Sequence, residues 1–192
     1  MAKEEQFGNL EICIVSENKD KINEIQEVLN HFKIKLINCN AKKIEIQNDE
    51  ISQIALYAAL NAYNEVRKPL IVDDSALYIK SLLNFPGPYT SYVYKTIGIK
   101  GILKLMEGIK DRSATFKTSL VYVDKKGYKI FEGIVKGIIT EEPRGNMGFG
   151  FDPIFKPDNA NKTFAEMSIK EKNTYSHRAK AALNFGNWII NS

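Results

Sequence analysis

Between residues 10 and 79 the chain alternates short aliphatic runs with longer amphipathic ones, and no other feature restricts its fold as strongly. Residues 10–15 read as a strand through Ile12, Ile14 and Val15, after which Ile22, Ile25, Val28 and Leu29 recur at helical spacing. A second strand is expected over 34–39. The alanine-rich stretch from Ile51 to Val66 is apolar all round, which predicts a helix buried on much of its surface. Arg67-Lys68-Pro69 ends it, because proline disfavours helix in the residue before it, and a third strand follows from Leu70 to Ile79. This β-α-β-α-β order predicts an α/β fold. Further on, 97–106 has a helical pattern, while 114–123 and 128–139 flank Asp124-Lys125-Lys126-Gly127 as an antiparallel hairpin. A hairpin inside an α/β chain predicts a mixed sheet.

The 192 residues, 44% hydrophobic and 10% aromatic, suffice for a substantial core in one domain or two closely joined lobes. Twenty-seven basic residues against 23 acidic ones leave +4 without any Lys/Arg block of the nucleic-acid-binding kind. A small anionic ligand explains that balance, and nucleic acid is not expected as a partner. Cys13 and Cys39 lie in apolar surroundings and match no metal-binding spacing, so reduced, buried thiols and a reducing compartment are expected. No apolar run is long enough to span a bilayer and the polar, acidic N-terminal stretch does not resemble a signal peptide. The expected location is cytoplasmic, with no membrane partner. Residues 1–9 are expected to form a flexible extension, and 10–192 a single domain.

Chemistry concentrates at five places. In Leu70–Ile79 an aliphatic run meets Asp73, Asp74 and Ser75, delivering charge to a buried strand end. Two readings are open there: a turn or cap, which Asp-Asp-Ser favours, and a site for a hard cation, which carboxylates suit. Ser16, Asn18 and Lys21 stand at a strand-to-helix junction, where free backbone N–H groups and the helix dipole can cradle phosphate. From the local pattern a plain capped helix with solvated lysines is the favoured reading, and no Walker A motif occurs. Glu45 lies between Ile44 and Ile46, an alternation that would set its carboxylate opposite two core isoleucines. In Gly148-Phe149-Gly150-Phe151-Asp152, glycines allow close approach and the rings offer stacking surface, although a core aromatic pair beside a turn explains them too. Ser176 is the expected N-cap of the last helix, over 179–190, placing His177 and Arg178 in its first turn with Lys172 just upstream. Cations there oppose the helix dipole, a conflict that a bound anion would resolve.

Four blocks in this order resemble the inosine triphosphate pyrophosphatase (Ham1-like) family: Ser16-x-Asn18-x-x-Lys21, Val72-Asp73-Asp74-Ser75 with Phe85-Pro86-Gly87-Pro88-Tyr89, Gly148-Phe149-Gly150-Phe151-Asp152-Pro153, and Glu171-Lys172-Asn173 with Ser176-His177-Arg178. The resemblance covers nearly the whole chain. It implies a two-lobed α/β fold with a long, central mixed sheet flanked by helices. It also implies Mg²⁺-dependent cleavage of ITP, dITP or XTP to the monophosphate and pyrophosphate, by an enzyme that is usually a homodimer. Carried over residue by residue, it makes Asp74 the principal catalytic and metal-binding carboxylate, Asp73 an aid in orienting or deprotonating water, and Glu45 a second metal contact. Ser16, Asn18, Lys21, Lys172 and Arg178 would hold the triphosphate, with Ser75 beside them and His177 near purine or phosphates. Phe149 and Phe151 would stack on the base while Gly150 and Asp152 lie at its edge.

Three positions depart from the family pattern. Asp73 is a shorter acid than the usual glutamate, Ala76 replaces a common glycine, and Ile51–Val66 lacks the lysine usual in that helix. Two rival readings are a pyrophosphatase of different base preference and a catalytically weak nucleotide- or RNA-binding protein. The clustered carboxylates speak against the latter, since a polyanion binder gains nothing from them without a metal.

Overall fold

The computed structural model describes residues 10–192, so the extension expected over 1–9 lies outside the described residues. The β-α-β-α-β order appears as β1 (Leu10–Ile14), α1 (Lys19–Leu29), β2 (Ile34–Asn38), α2 (Ile51–Val66) and β3 (Leu70–Ile79). There follow β4 (Pro86–Gly87), α3 (Thr90–Thr96), α4 (Gly98–Leu105), the long hairpin β5 (Ser113–Asp124) and β6 (Gly127–Ile139), β7 (Phe155–Pro157), α5 (Ile169–Asn173) and α6 (His177–Ile189). These seven strands form one mixed sheet in the order β2-β1-β3-β5-β6-β7, with β4 hydrogen-bonded to β3. β1 runs parallel to β2 and β3, and every other pairing is antiparallel.

The register of β3 decides where the cleft lies. β1 pairs with it only at Leu70 and Ile71, whereas β5 accompanies all ten residues. The chain therefore leaves β1 beside Val72, and its loop opens above Asp73 to Ser75, at the carboxyl end of the parallel strands where α/β sheets place ligands. Alternation along the strand then sorts the side chains. On one face Ile71 joins Ile12, Ile25, Leu120, Phe131 and Phe185 under α1 and α6, and further along Leu77 and Ile79 join Phe116, Val135, Phe155 and Phe164 in a second core with α4. Asp73 and Ser75 are the polar break between these cores. On the other face Leu70 and Val72 pack on Ala55, Ala58, Ala59 and Ala62 of α2, and Asp74 follows.

Three expectations change, and one element is added. Cys13 and Cys39 are joined in a disulfide, with Cα atoms 5.5 Å apart, because the parallel pairing of β1 and β2 brings them together across 26 residues of sequence. That removes the argument from free thiols to a reducing compartment. Residues 39–50 form no strand, so Ile44 is exposed and the alternation around Glu45 orders no core face. α2 buries one alanine face only, leaving Tyr57 and Leu60 about 40% exposed, at 42% and 40%. Residues 90–96 form α3 without a helical stripe, burying Val93 alone.

Candidate active site

The cleft between the two cores has a volume of about 710 Å³, within the range of small-molecule sites. Ser16, Asn18, Lys21, Lys43, Glu45 and Asp74 line one part of it, and Phe149, Gly150, Phe151, Asp152, His177 and Arg178 another. Asn18 is the N-cap of α1: its Oδ1 accepts from the Lys21 backbone N–H at 3.1 Å, and its own N–H donates to Ser16 Oγ at 3.2 Å. The cap thus turns the first-turn side chain of Lys21 toward β3, where its ammonium lies 3.3 Å from Asp73 Oδ2. This is no solvated lysine.

Strand alternation sends the two aspartates to opposite faces. Asp73 is buried between Lys21 and Arg178, whose Nε donates to Oδ2 at 3.4 Å, while Oδ1 is left without a protein partner. Burial by itself would push this carboxyl up, but Lys21, Arg178 and Lys43 outweigh it and hold it well below the usual range. Asp74 faces the cleft beside Lys43 and Glu45. Its carboxyl is pushed up, by burial first and by Glu45 and Asp73 in addition, against the pull of Lys43 and Lys21. Ser75 Oγ bridges the two cores, 2.6 Å from Thr118 Oγ1 and accepting from Arg178 Nη2 at 3.1 Å.

At the start of α6, Ser176 caps the helix as its Oγ accepts from the Ala179 N–H at 3.1 Å. Gly133 of β6 lets this turn approach the sheet, since a Cβ there would collide with the His177 carbonyl. Arg178 is buried, and its charge is met by Asp73 and by Glu24 of α1, to which Nη1 donates. Two carboxylates of the chain itself thus meet the Arg178 charge at this helix start. His177 stacks on Phe116 with centroids 4.7 Å apart and planes at 7°. Burial, then Arg178 and Lys172, drive its pKa well down, so the ring is neutral, with Nδ1 lacking a protein partner.

Lys172 is buried and its ammonium is engaged by Glu24 Oε1 at 2.5 Å and Asp152 Oδ2 at 2.6 Å. It does not line the cleft. The same Asp152 oxygen accepts from the Phe149 backbone N–H at 2.9 Å, and Gly148, at φ +72°, leaves the room that carboxylate needs. Phe149 is half-buried with Lys172 and Arg178 over its ring, 5.0 and 5.4 Å from the centroid. Phe151 is 2% exposed and makes an edge contact with Tyr94, so it serves the core as well as the cleft wall.

Glu24 and Lys43 are the charged positions at the site that sequence reasoning passed over. Glu24 joins Lys172 to Arg178 from within the apolar stripe of α1, and a lone acid four residues before Val28 was its only signal. Lys43 Nζ lies 2.6 Å from Glu45 Oε1 and 3.6 Å from Asp74 Oδ1. Glu45 and Asp74 therefore converge on one cation. Among the described residues no three acid, histidine or cysteine side chains form a closed metal cage. Two carboxylates open to a cleft fit Mg²⁺, which keeps waters and takes the remaining ligands from substrate phosphates.

The sequence profile of the Ham1 family matches residues 12–188. The chain belongs to the Ham1 family. It is 54% identical over 180 residues to the dITP/XTP pyrophosphatase of Saccharolobus solfataricus, covering 94% of each chain. The dITP/XTP pyrophosphatase of Hyperthermus butylicus is 46% identical, over 93% of this chain and 94% of its own. Among solved structures, a HAM1 protein from Coxiella burnetii superposes with a TM-score of 0.82 at 30% identity, covering 95% of this chain and all of that one (100%). The curled mixed sheet with flanking helices is thus the Ham1 fold. Among the described residues no helix is long and apolar enough to cross a membrane.

Proposed function

We propose that this protein is a nucleoside triphosphate pyrophosphatase that cleaves ITP, dITP and XTP between the α and β phosphates, releasing monophosphate and pyrophosphate. One observation carries the reading: a cleft of nucleotide size in a Ham1 chain joins Phe149 and Asp152 to Asp74 and Glu45. Phe149 stacks on the purine, and Asp152, fixed by Lys172 and the Phe149 N–H, orders the loop whose N–H groups face the base edge. An N–H placed there donates to the 6-keto oxygen of inosine or xanthosine and finds no acceptor on the 6-amino group of adenine, the kind of mismatch that discriminates by orders of magnitude.

At the other end Ser16, Asn18, Lys21 and Arg178 face the phosphates, and Asp74, beside Ser75, is the carboxylate that accepts a proton from the attacking water. Glu45 and Asp74 would hold Mg²⁺, which when bound would neutralise phosphate charge and polarise water. Asp73 acts through Lys21 and Arg178, whose positions it fixes. Catalysis of this kind is positioning and electrostatic stabilisation of charge on the phosphoryl oxygens. Exposed Leu83, Phe85, Tyr89 and Tyr92 offer an apolar surface for the second copy of a homodimer. The proposed place of action is the cytoplasm, where such triphosphates would be removed from the nucleotide pool.

The test supplies ITP, XTP, dITP, GTP, ATP, dCTP and dUTP with Mg²⁺ and measures pyrophosphate and orthophosphate separately. Pyrophosphate from the first three substrates is expected. Release of orthophosphate, or equal turnover of ATP and ITP, overturns the reading.

A further inference from the structure

Lys43 is held more firmly than its surroundings. Its loop neighbours Lys42 and Ile44 are exposed, yet its own side chain is only 19% exposed. Its ammonium donates to the Asp73 carbonyl at 3.1 Å, besides facing Glu45 Oε1 at 2.6 Å and Asp74 Oδ1 at 3.6 Å. The ammonium thus has two oxygens within hydrogen-bond distance and a third, on Asp74, within ion-pair distance. Carboxylate, carbonyl and carboxylate are also the oxygens a hard divalent ion takes. Cation and metal would therefore compete for one place.

We propose that Lys43 is a tethered counter-cation that occupies the Glu45 and Asp74 carboxylates in the nucleotide-free protein and keeps free divalent metal out of them. This rests on the reading that those two carboxylates are the metal ligands. A tethered group acts at a high effective concentration, so a metal ion arriving alone must displace an ammonium already held beside both carboxylates. A triphosphate changes that balance, because its oxygens give Lys43 a new partner while adding ligands for the metal. Metal and triphosphate then bind cooperatively, and Lys43 is the residue that couples them.

Manganese titrations of the nucleotide-free protein, followed by electron paramagnetic resonance, test this without turnover. Lys43→Met is expected to bind Mn²⁺ at least about tenfold more tightly than the unmodified protein, within the span usual for coupling between sites. Lys43→Arg, which keeps the charge, is expected to stay weak. Adding Glu45→Gln to Lys43→Met should abolish the gain. Equal Mn²⁺ affinity in the Lys43→Met and unmodified proteins, with both folded by circular dichroism, overturns the proposal, as does a gain that survives Glu45→Gln. If Lys43→Met does not fold, Lys43→Gln is read in the same way. Because no nucleotide is present, failure of the ITP assay leaves this result intact, and failure here leaves the proposed reaction standing.

Discussion

Asp73 and Asp74 are adjacent in sequence and share a strand, yet they belong to two different charge systems. Asp73 enters a closed, buried network of ion pairs with Lys21, Arg178, Glu24, Lys172 and Asp152 between the two cores. Asp74 enters an open one with Lys43 and Glu45, where Glu45 keeps 53% of its side chain in solvent. The difference is one of desolvation. Removing one partner of a buried network strands a charge and costs stability, whereas changing a group that faces water leaves the fold intact and alters what the cleft can bind.

Substitutions that separate stability from turnover are the sharpest way to break that contrast. Asp74→Asn is expected to lower kcat/KM for ITP at least about a thousandfold, roughly 4 kcal/mol, with the melting temperature unchanged. Near-normal activity would show that the wrong carboxylate has been assigned. Glu24→Ala, in the closed network, is expected to lower unfolding free energy by about 3–5 kcal/mol in urea titrations, since it leaves Lys172 and Arg178 short of an anion. A loss below about 1 kcal/mol would mean that this network is no more than a surface-like ion pair. Phe149→Ala should cost about 1–3 kcal/mol, read as a rise in KM for ITP, because the ring is the cleft's accessible stacking surface. An unchanged KM would remove it from base recognition.

The smallest expected effect concerns pH. His177 is held neutral with its pKa well below the ordinary imidazole value of about 6.5, so below that pH the unfolded chain takes up a proton that the native ring refuses. Stability is therefore full above about pH 6.5 and falls as pH drops, by at most about 1.4 kcal/mol per pH unit for one proton. Asp73, held low, adds a further loss below about pH 4, while Asp74 and Asp152, both pushed up, act in the opposite sense in the carboxylate range. The fall between pH 7 and 5 is expected to flatten in His177→Gln. An unchanged slope would exclude His177 as its source.

The sequence determined the elements and the inventory of groups. Periodicity gave the β-α-β-α-β start and the hairpin, because cores of two periods leave two different spacings of apolar residues. Ser176 as the cap of α6, and carboxylates, cations and phenylalanines at the positions that line the cleft or brace it, were equally legible from residue type. What those groups do to each other was not. Pairing of Cys13 with Cys39, the placement of Glu24 among Lys172 and Arg178 across about 150 residues of sequence, with separations of 148 and 154, and the capture of Lys43 by Glu45 and Asp74 depend on contacts that no local pattern encodes. Only the tertiary structure set Asp73 inward and Asp74 toward the cleft as partners of different cations. The physical reason is that a strand's alternation fixes that neighbours face opposite ways, while which face is sealed by helices and which opens to solvent is decided by packing.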